Sequence, residues 1–214
     1  MRVAGVDGCR GGWLVAGSGR VPELHLCATF AEVLELDYQW LAVDMPIGLP
    51  ELGRPRRADG EARALLGPRR ASVFPAPPRP LLQAEHYDQV RGHGMSLQTF
   101  YLLPRIRELD AVMNPDRQAF VKETHPELVF SRLAGGPLEF AKKKPAGLAL
   151  RRQLLGMDEE PWLERFGRRL VARDDILDSL VLLRAAQAQA EGDCRVVPAI
   201  CELDSKGLKM EICY

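Results

Sequence analysis

Five carboxylates stand where an apolar stretch gives out or where an apolar helix face should continue: Asp7, Asp44, Glu123, Asp175 and Asp178. The first three close, or nearly close, the short runs "RVAGVD", "WLAVD" and "FVKE". An unpaired buried carboxylate is costly, so acids gathered at strand ends call for a cation. Asp175 and Asp178 are three residues apart and share one helix face. Asp174 suits an N-cap and Asp175 a first turn, where acids favour the helix dipole. Asp178 has no such local reason, because it interrupts the apolar run "ILDSLVLL". The five cysteines (Cys9, Cys27, Cys194, Cys201, Cys213) form no C-x-x-C pair and are irregularly spaced, which argues against a zinc site or a disulfide framework. An all-oxygen set suits Mg²⁺ or Mn²⁺. Two such ions can clamp an in-line displacement at phosphorus, one activating the attacking water and the other steadying the leaving oxygen.

Candidate partners for phosphate are also present. The stretch from Arg54 to Arg79 holds seven arginines against only Asp59 and Glu61, a local basic patch in a chain whose 29 basic and 29 acidic residues cancel. Arg10, Arg63, Arg69, Arg70 and Lys143 are the candidates to hold substrate phosphates. Lys142 to Lys144 read slightly better as a solvated face. His125 lies two residues from Glu123 on an expected strand, so the two point the same way. It is a candidate proton carrier, with a structural hydrogen-bonder as the equal alternative. Glu127 sits in the first turn of the next helix and competes with Glu123 to complete the acid set.

The elements that must position these groups follow from periodicity and turn chemistry. Residues 2–6 and Trp13–Gly17 read as strands joined by the glycine-rich turn "DGCRGG". The alternating "ELHLCA" is a half-buried third strand. Phe30–Leu36 is a short helix capped by Thr29. Trp40–Val43 is a buried strand ending on Asp44. From Pro46 the texture turns rich in Pro, Gly and Arg, and about 46–95 reads as an insertion or lid. Within it Asp59 is expected to cap a short helix that Gly67 ends. Ser96 begins a helix that Pro104 should kink or split. A strand to about His125 precedes a helix starting at Pro126. A helix ended by Gly156, a short one near Asp158, the long "DDILDSLVLLRAAQAQAEG" and a terminal hairpin complete the chain. Three antiparallel strands followed by αβα units make an α/β fold, a mixed sheet with helices on both faces, over a single domain of 1–214.

The blocks "GVDGCRGGW", "VDMPIGLP", "RRADGEAR", "LGPRRASVF", "ETHPELVF" and "DDILDSL" together resemble the domain-of-unknown-function family 429, described as predicted nucleases of RNase H-like fold. The resemblance runs from Arg2 to about Ala186. It implies an RNase H-like sheet and two Mg²⁺ ions held by acids of the first strand, the fourth strand and the last helix. By position these are Asp7, Asp44, and Asp175 with Asp178. Glu123 does not map cleanly onto that pattern.

A metal-dependent nuclease acting on nucleic acid or a nucleotide is therefore the leading expectation. A nucleotide-binding phosphotransferase of the actin and sugar-kinase type would use the Asp7-Gly8 turn to bind phosphates through backbone amides, but usually needs two duplicated domains. A non-catalytic binding module is the third expectation, docking through "RRASVF" and "PAPPRP". Zero net charge counts against a general nucleic-acid coat protein. No apolar run approaches the roughly 20 residues of a membrane helix, and Asp7 and Arg10 break any signal-peptide pattern. A cytoplasmic location is expected, and an uncovered edge strand leaves room for a homodimer.

Overall fold

The computed structural model describes residues 1–214. Five strands form one mixed sheet: β1 (Val3–Cys9), β2 (Gly12–Gly17), β3 (Glu23–Cys27), β4 (Trp40–Val43) and β5 (Val121–Glu123). Their order is β3-β2-β1-β4-β5. The β1–β2 and β2–β3 pairs are antiparallel, while β1–β4 and β4–β5 are parallel. The helices are α1 (Phe30–Glu35), α2 (Arg57–Leu66), α3 (Asp88–Arg91), α4 (Leu97–Val112), α5 (Pro115–Gln118), α6 (Pro126–Ala134), α7 (Pro145–Leu155), α8 (Glu160–Phe166) and α9 (Arg173–Ala190). Two short strands, β6 (Val196–Val197) and β7 (Ile212–Cys213), pair antiparallel near the chain end. No helix is long and apolar enough to cross a membrane.

The sheet is buried on both faces, and the strand period of two sorts its side chains. Ala4, Val6, Trp13, Val15, Leu41, Val43 and Val121 enter one core together with Phe30 of α1 and Leu103, Ile106 and Leu109 of α4. Val3, Leu14, Ala16 and Ala42 enter the other with Ile176, Leu180, Val181 and Leu183 of α9. Each buried Val, Leu, Ile or Phe among them contributes about 1.5–3 kcal/mol, so α9 is anchored on the middle of the sheet. Gly5 permits the close approach: an added Cβ would meet Leu183 N at 2.2 Å and Ser179 O at 2.3 Å. The segment after Asp44 does not stand off as a separate flap. Leu49, Ala76, Leu82, Val90 and Met95 join the first core, and α2 makes a small third core with Leu128, Val197 and Ile212.

Several helix ends follow local chemistry. Thr29 accepts from Glu32 N and Ser96 from Thr99 N, and Gly156 ends α7 in the left-handed conformation. Three expectations are narrowed or corrected. Pro104 does not split α4, which runs unbroken from Leu97 to Val112. The buried packing of Leu103 and Ile106 beside it holds the helix together. Asp59 does not cap α2; it lies inside the first turn, drawn to Arg56. Asp174 does not cap α9 either, since Asp175 Oδ2 accepts from Ala172 N at 2.8 Å.

Candidate active site

Asp7 lies within β1, opposite Leu14, rather than in the turn that follows. It has the parity of Val3 and Gly5 and so faces α9. Asp44 follows the last residue of β4, and its backbone N–H donates to Val6 O at 2.9 Å, tying it to β1. Asp175 and Asp178 project from the first turns of α9. The four aspartates line one cleft of about 430 Å³. Its other walls include Pro68–Arg69 and Ala71–Ser72, the β5–α6 junction at His125–Glu127, and Lys142–Lys143.

Burial and mutual repulsion dominate the electrostatics. Asp7 and Asp178 are 7% and 5% exposed. Burial, then the charges of Asp44, Asp178 and Asp175, push the Asp7 carboxyl well above the usual carboxylate range. Burial likewise lifts Asp44 and Asp175 to about 6 each. Neither Asp7 nor Asp44 accepts a protein hydrogen bond that would offset its desolvation. The nearest counter-charge is Lys142, whose Nζ donates to Asp178 Oδ2 at 2.7 Å and lies 3.3 Å from Asp174. The donor set is all oxygen, half to fully buried and in excess over its cations, which matches the chemistry of a hard divalent ion. In this conformation no three His, Cys, Asp or Glu side chains close to the spacing of ligands around one ion. Lys142 balances Asp178 instead, and a divalent ion would compete with that ammonium. Lys142→Met should therefore tighten Mn²⁺ binding by roughly threefold or more at about pH 8 and low salt, where exposed-side screening is least. Calorimetry reads this directly, and an unchanged or weaker affinity would remove the competition.

Glu123 is not part of this group. It has the parity of Val121 and pairs with Val43, both of which face the α4 side of the sheet, opposite to Asp7. There Arg56 grips it in a bidentate pair at 2.6 and 2.7 Å, and Ile47 N donates to it at 2.6 Å. The same guanidinium reaches Asp59 Oδ1 at 2.5 Å, and Asp59 accepts from Ala76 N. Arg56, Asp59 and Glu123 thus form a buried triad that clamps the post-β4 segment to β5. Glu127 does not complete the acid set either. Arg151 holds it at 2.6 and 2.8 Å, and Arg69 reaches it at 3.1 Å.

The cationic candidates separate in the same way. Lys143 and Arg69 line the cleft. Arg63 is spent on the Val73 carbonyl at 2.6 Å. Arg70 is exposed outside the cleft lining. Arg10 lines a neighbouring cavity rather than the cleft itself. His125 lines the cleft beside Asp44. Its Nε2 is 3.2 Å from the Ser72 carbonyl oxygen, and its Nδ1 is buried without a partner. Three residues take roles not read from the sequence: Arg56, the buried Arg151 that holds Glu127, and Lys142, which reads as part of a solvated face but is bonded to Asp178. Arg56 had a visible signal in its i,i+3 spacing to Asp59, whereas the reach of Lys142 across to α9 had none.

No curated protein and no solved structure matches the chain. The sequence pattern of the family described as "Protein of unknown function (DUF429)" matches residues 5–202, and the chain belongs to that family.

Proposed function

We propose that the protein is a divalent-metal-dependent phosphodiesterase, a nuclease of RNase H-like architecture, using Mg²⁺ or Mn²⁺. The observation that carries this reading is the convergence of buried aspartates from β1, β4 and α9 on one cleft, with Asp7 and Asp44 lacking any donor. Carboxylates so arranged are stabilised by bringing in positive charge. The strand order β3-β2-β1-β4-β5, an antiparallel meander continued by parallel strands, supports the architectural part.

Asp7, Asp44, Asp175 and Asp178 would hold the metal, which supplies an activated water and Lewis-acid stabilisation of charge at phosphorus. Lys143 borders the same space and would orient a phosphate, whereas Arg69 on the same wall is engaged by Glu127. His125 has a buried, unpartnered Nδ1 with which to hold a proton near Asp44. A non-catalytic binding module retaining the fold is the second reading, favoured by Lys142 already neutralising Asp178.

Calorimetric titration with Mn²⁺, with and without a short oligonucleotide, separates the two. The first reading requires binding that strengthens with pH. Asp44 and Asp175 bind protons up to about pH 6, and a metal must displace them. Affinity should rise by about tenfold or more between about pH 5 and about pH 7. The linkage to stability has the opposite sign for the metal-free protein. A carboxyl whose folded pKa is raised binds more protons folded than unfolded, so metal-free stability falls as pH rises from about 4 through about 6. No Mn²⁺ binding under either condition would leave the binding module.

A further inference from the structure

A second cavity, of about 620 Å³, opens beside the carboxylate cleft and shares Gly8, Leu102 and Asp175 with it. Its walls carry Arg10, Arg105, Arg168 and Arg169. These arginines come from three distant parts of the chain. The β1–β2 turn is held to the segment before α9 by Gly11 N donating to Leu170 O at 2.9 Å. A Cβ on Gly11 would lie 3.1 Å from Leu170 Cβ, so only a glycine lets the two segments meet this closely without a shift. That contact sets Arg10 beside Arg168 and Arg169.

Three of the four arginines on this wall have weak carboxylate partners or none. Arg10 and Arg169 make no ion pair, and Arg168 reaches only Glu160, at 3.9 Å. Arg105 alone is engaged, at 3.1 Å from Glu108 and over the Trp13 ring. Tyr101, 70% exposed, stands on the same wall. A third cavity, of about 420 Å³, also borders the cleft, shares Lys142, Lys143 and Asp178 with it and carries Lys144 as well. Exposed Lys143 and Lys144 have no carboxylate partner.

We infer that these cavities form one continuous track for a single-stranded polynucleotide, entering along Arg10, Arg168 and Arg169, crossing the aspartates, and leaving over Lys143 and Lys144. The track rests on reading the aspartates as the reacting centre. Uncompensated cations in cavities that border an acidic centre hold a strand's phosphates where the centre itself repels them. A mononucleotide would use one cavity only. An exposed aromatic ring in a basic groove offers a face on which an unpaired base stacks, which a duplex does not present.

The test is fluorescence anisotropy with labelled oligothymidylate and oligouridylate of about a dozen nucleotides, in EDTA so that no metal takes part. The two arms distinguish DNA from RNA as the source of the strand. Binding should strengthen from the dinucleotide to the longer strand. Arg168→Ala combined with Arg169→Ala should lower the slope of log affinity against log salt by about 1.4. Tyr101→Ala should weaken binding about fivefold or more. Lys143→Ala combined with Lys144→Ala should weaken the long strand and spare the dinucleotide. Arg91→Ala, exposed and outside the track, should change nothing. Length-independent binding, or variants that leave affinity unchanged, would overturn the track. Inorganic polyphosphate binding as tightly as the oligonucleotide, with Tyr101→Ala silent, would overturn the nucleobase component. Strand binding without Mn²⁺-dependent cleavage would keep the track and reject the nuclease. Cleavage without length dependence would do the reverse.

Discussion

Asp7→Asn is expected to abolish metal-dependent turnover, by on the order of a thousandfold or more, while the metal-free protein stays folded with a melting temperature no lower than that of the wild type. The two halves of this expectation have one cause. Asp7 is buried among Asp44, Asp175 and Asp178 and accepts no compensating hydrogen bond. Its charge therefore opposes folding unless a cation is present. Asparagine keeps the volume and removes the charge, so the strand keeps its pairing with Leu14 and the cleft keeps its shape. A ligand to a metal loses its function under the same change, because a neutral amide oxygen is a much weaker partner for Mg²⁺ or Mn²⁺. Metal-dependent cleavage by the variant at the wild-type rate would remove Asp7 from the mechanism. A fall in melting temperature of several degrees would instead make Asp7 a structural residue, with a partner that its surroundings do not reveal.

The second large effect falls on stability. Arg56→Ala should destabilise the protein by about 3–5 kcal/mol, because it strands two buried carboxylates. Arg56 is 3% exposed, and its guanidinium bridges Asp59 and Glu123 while also donating to the Ile47 and Gly48 carbonyls. At about 2–4 °C per kcal/mol for a chain of this size, the melting temperature should drop by roughly 10 °C. Glu123→Gln should follow in direction with a smaller loss, since the amide still accepts from Ile47 N. Its Mn²⁺ affinity should stay within about threefold of wild type. That pairing of results separates a clamp from a ligand. Loss of Mn²⁺ binding in Glu123→Gln with stability intact would return Glu123 to the acid set.

Much of the local architecture is written in short stretches of sequence. The glycine-rich reversal after Asp7, the strand ending on Asp44, the Thr29 and Ser96 caps and the Gly156 stop all act within a few residues, so adjacent side chains suffice to specify them. The anomaly of Asp178 was legible for the same reason, as an acid in an apolar helical run. The sequence by itself therefore determined the longer elements and their approximate ends, though not the one-turn α3 and α5, and four acids that line one cleft. It also determined membership of a family whose pattern spans residues 5–202.

Only the tertiary structure decided which charges remain uncompensated. Glu123 looked equivalent to Asp7 and Asp44 because all three close apolar runs. A strand's two faces are equivalent until something covers them, and α9 lies on the face that Glu123 turns away from. Its partner Arg56 is 67 residues away in sequence. Lys142 meets Asp178 across 36 residues, and Glu127 meets Arg69 across 58. Composition made Arg54 to Arg79 look like one basic patch, but folding spends Arg56, Arg63, Arg69 and Arg79 on internal partners. Arg10 is distant in sequence from Arg168 and Arg169, and the Gly11–Leu170 contact gathers the three on one cavity wall. Side-chain type and strand period are local properties; whether a charge ends beside its opposite depends on how distant segments cross, and that is fixed only when the core closes.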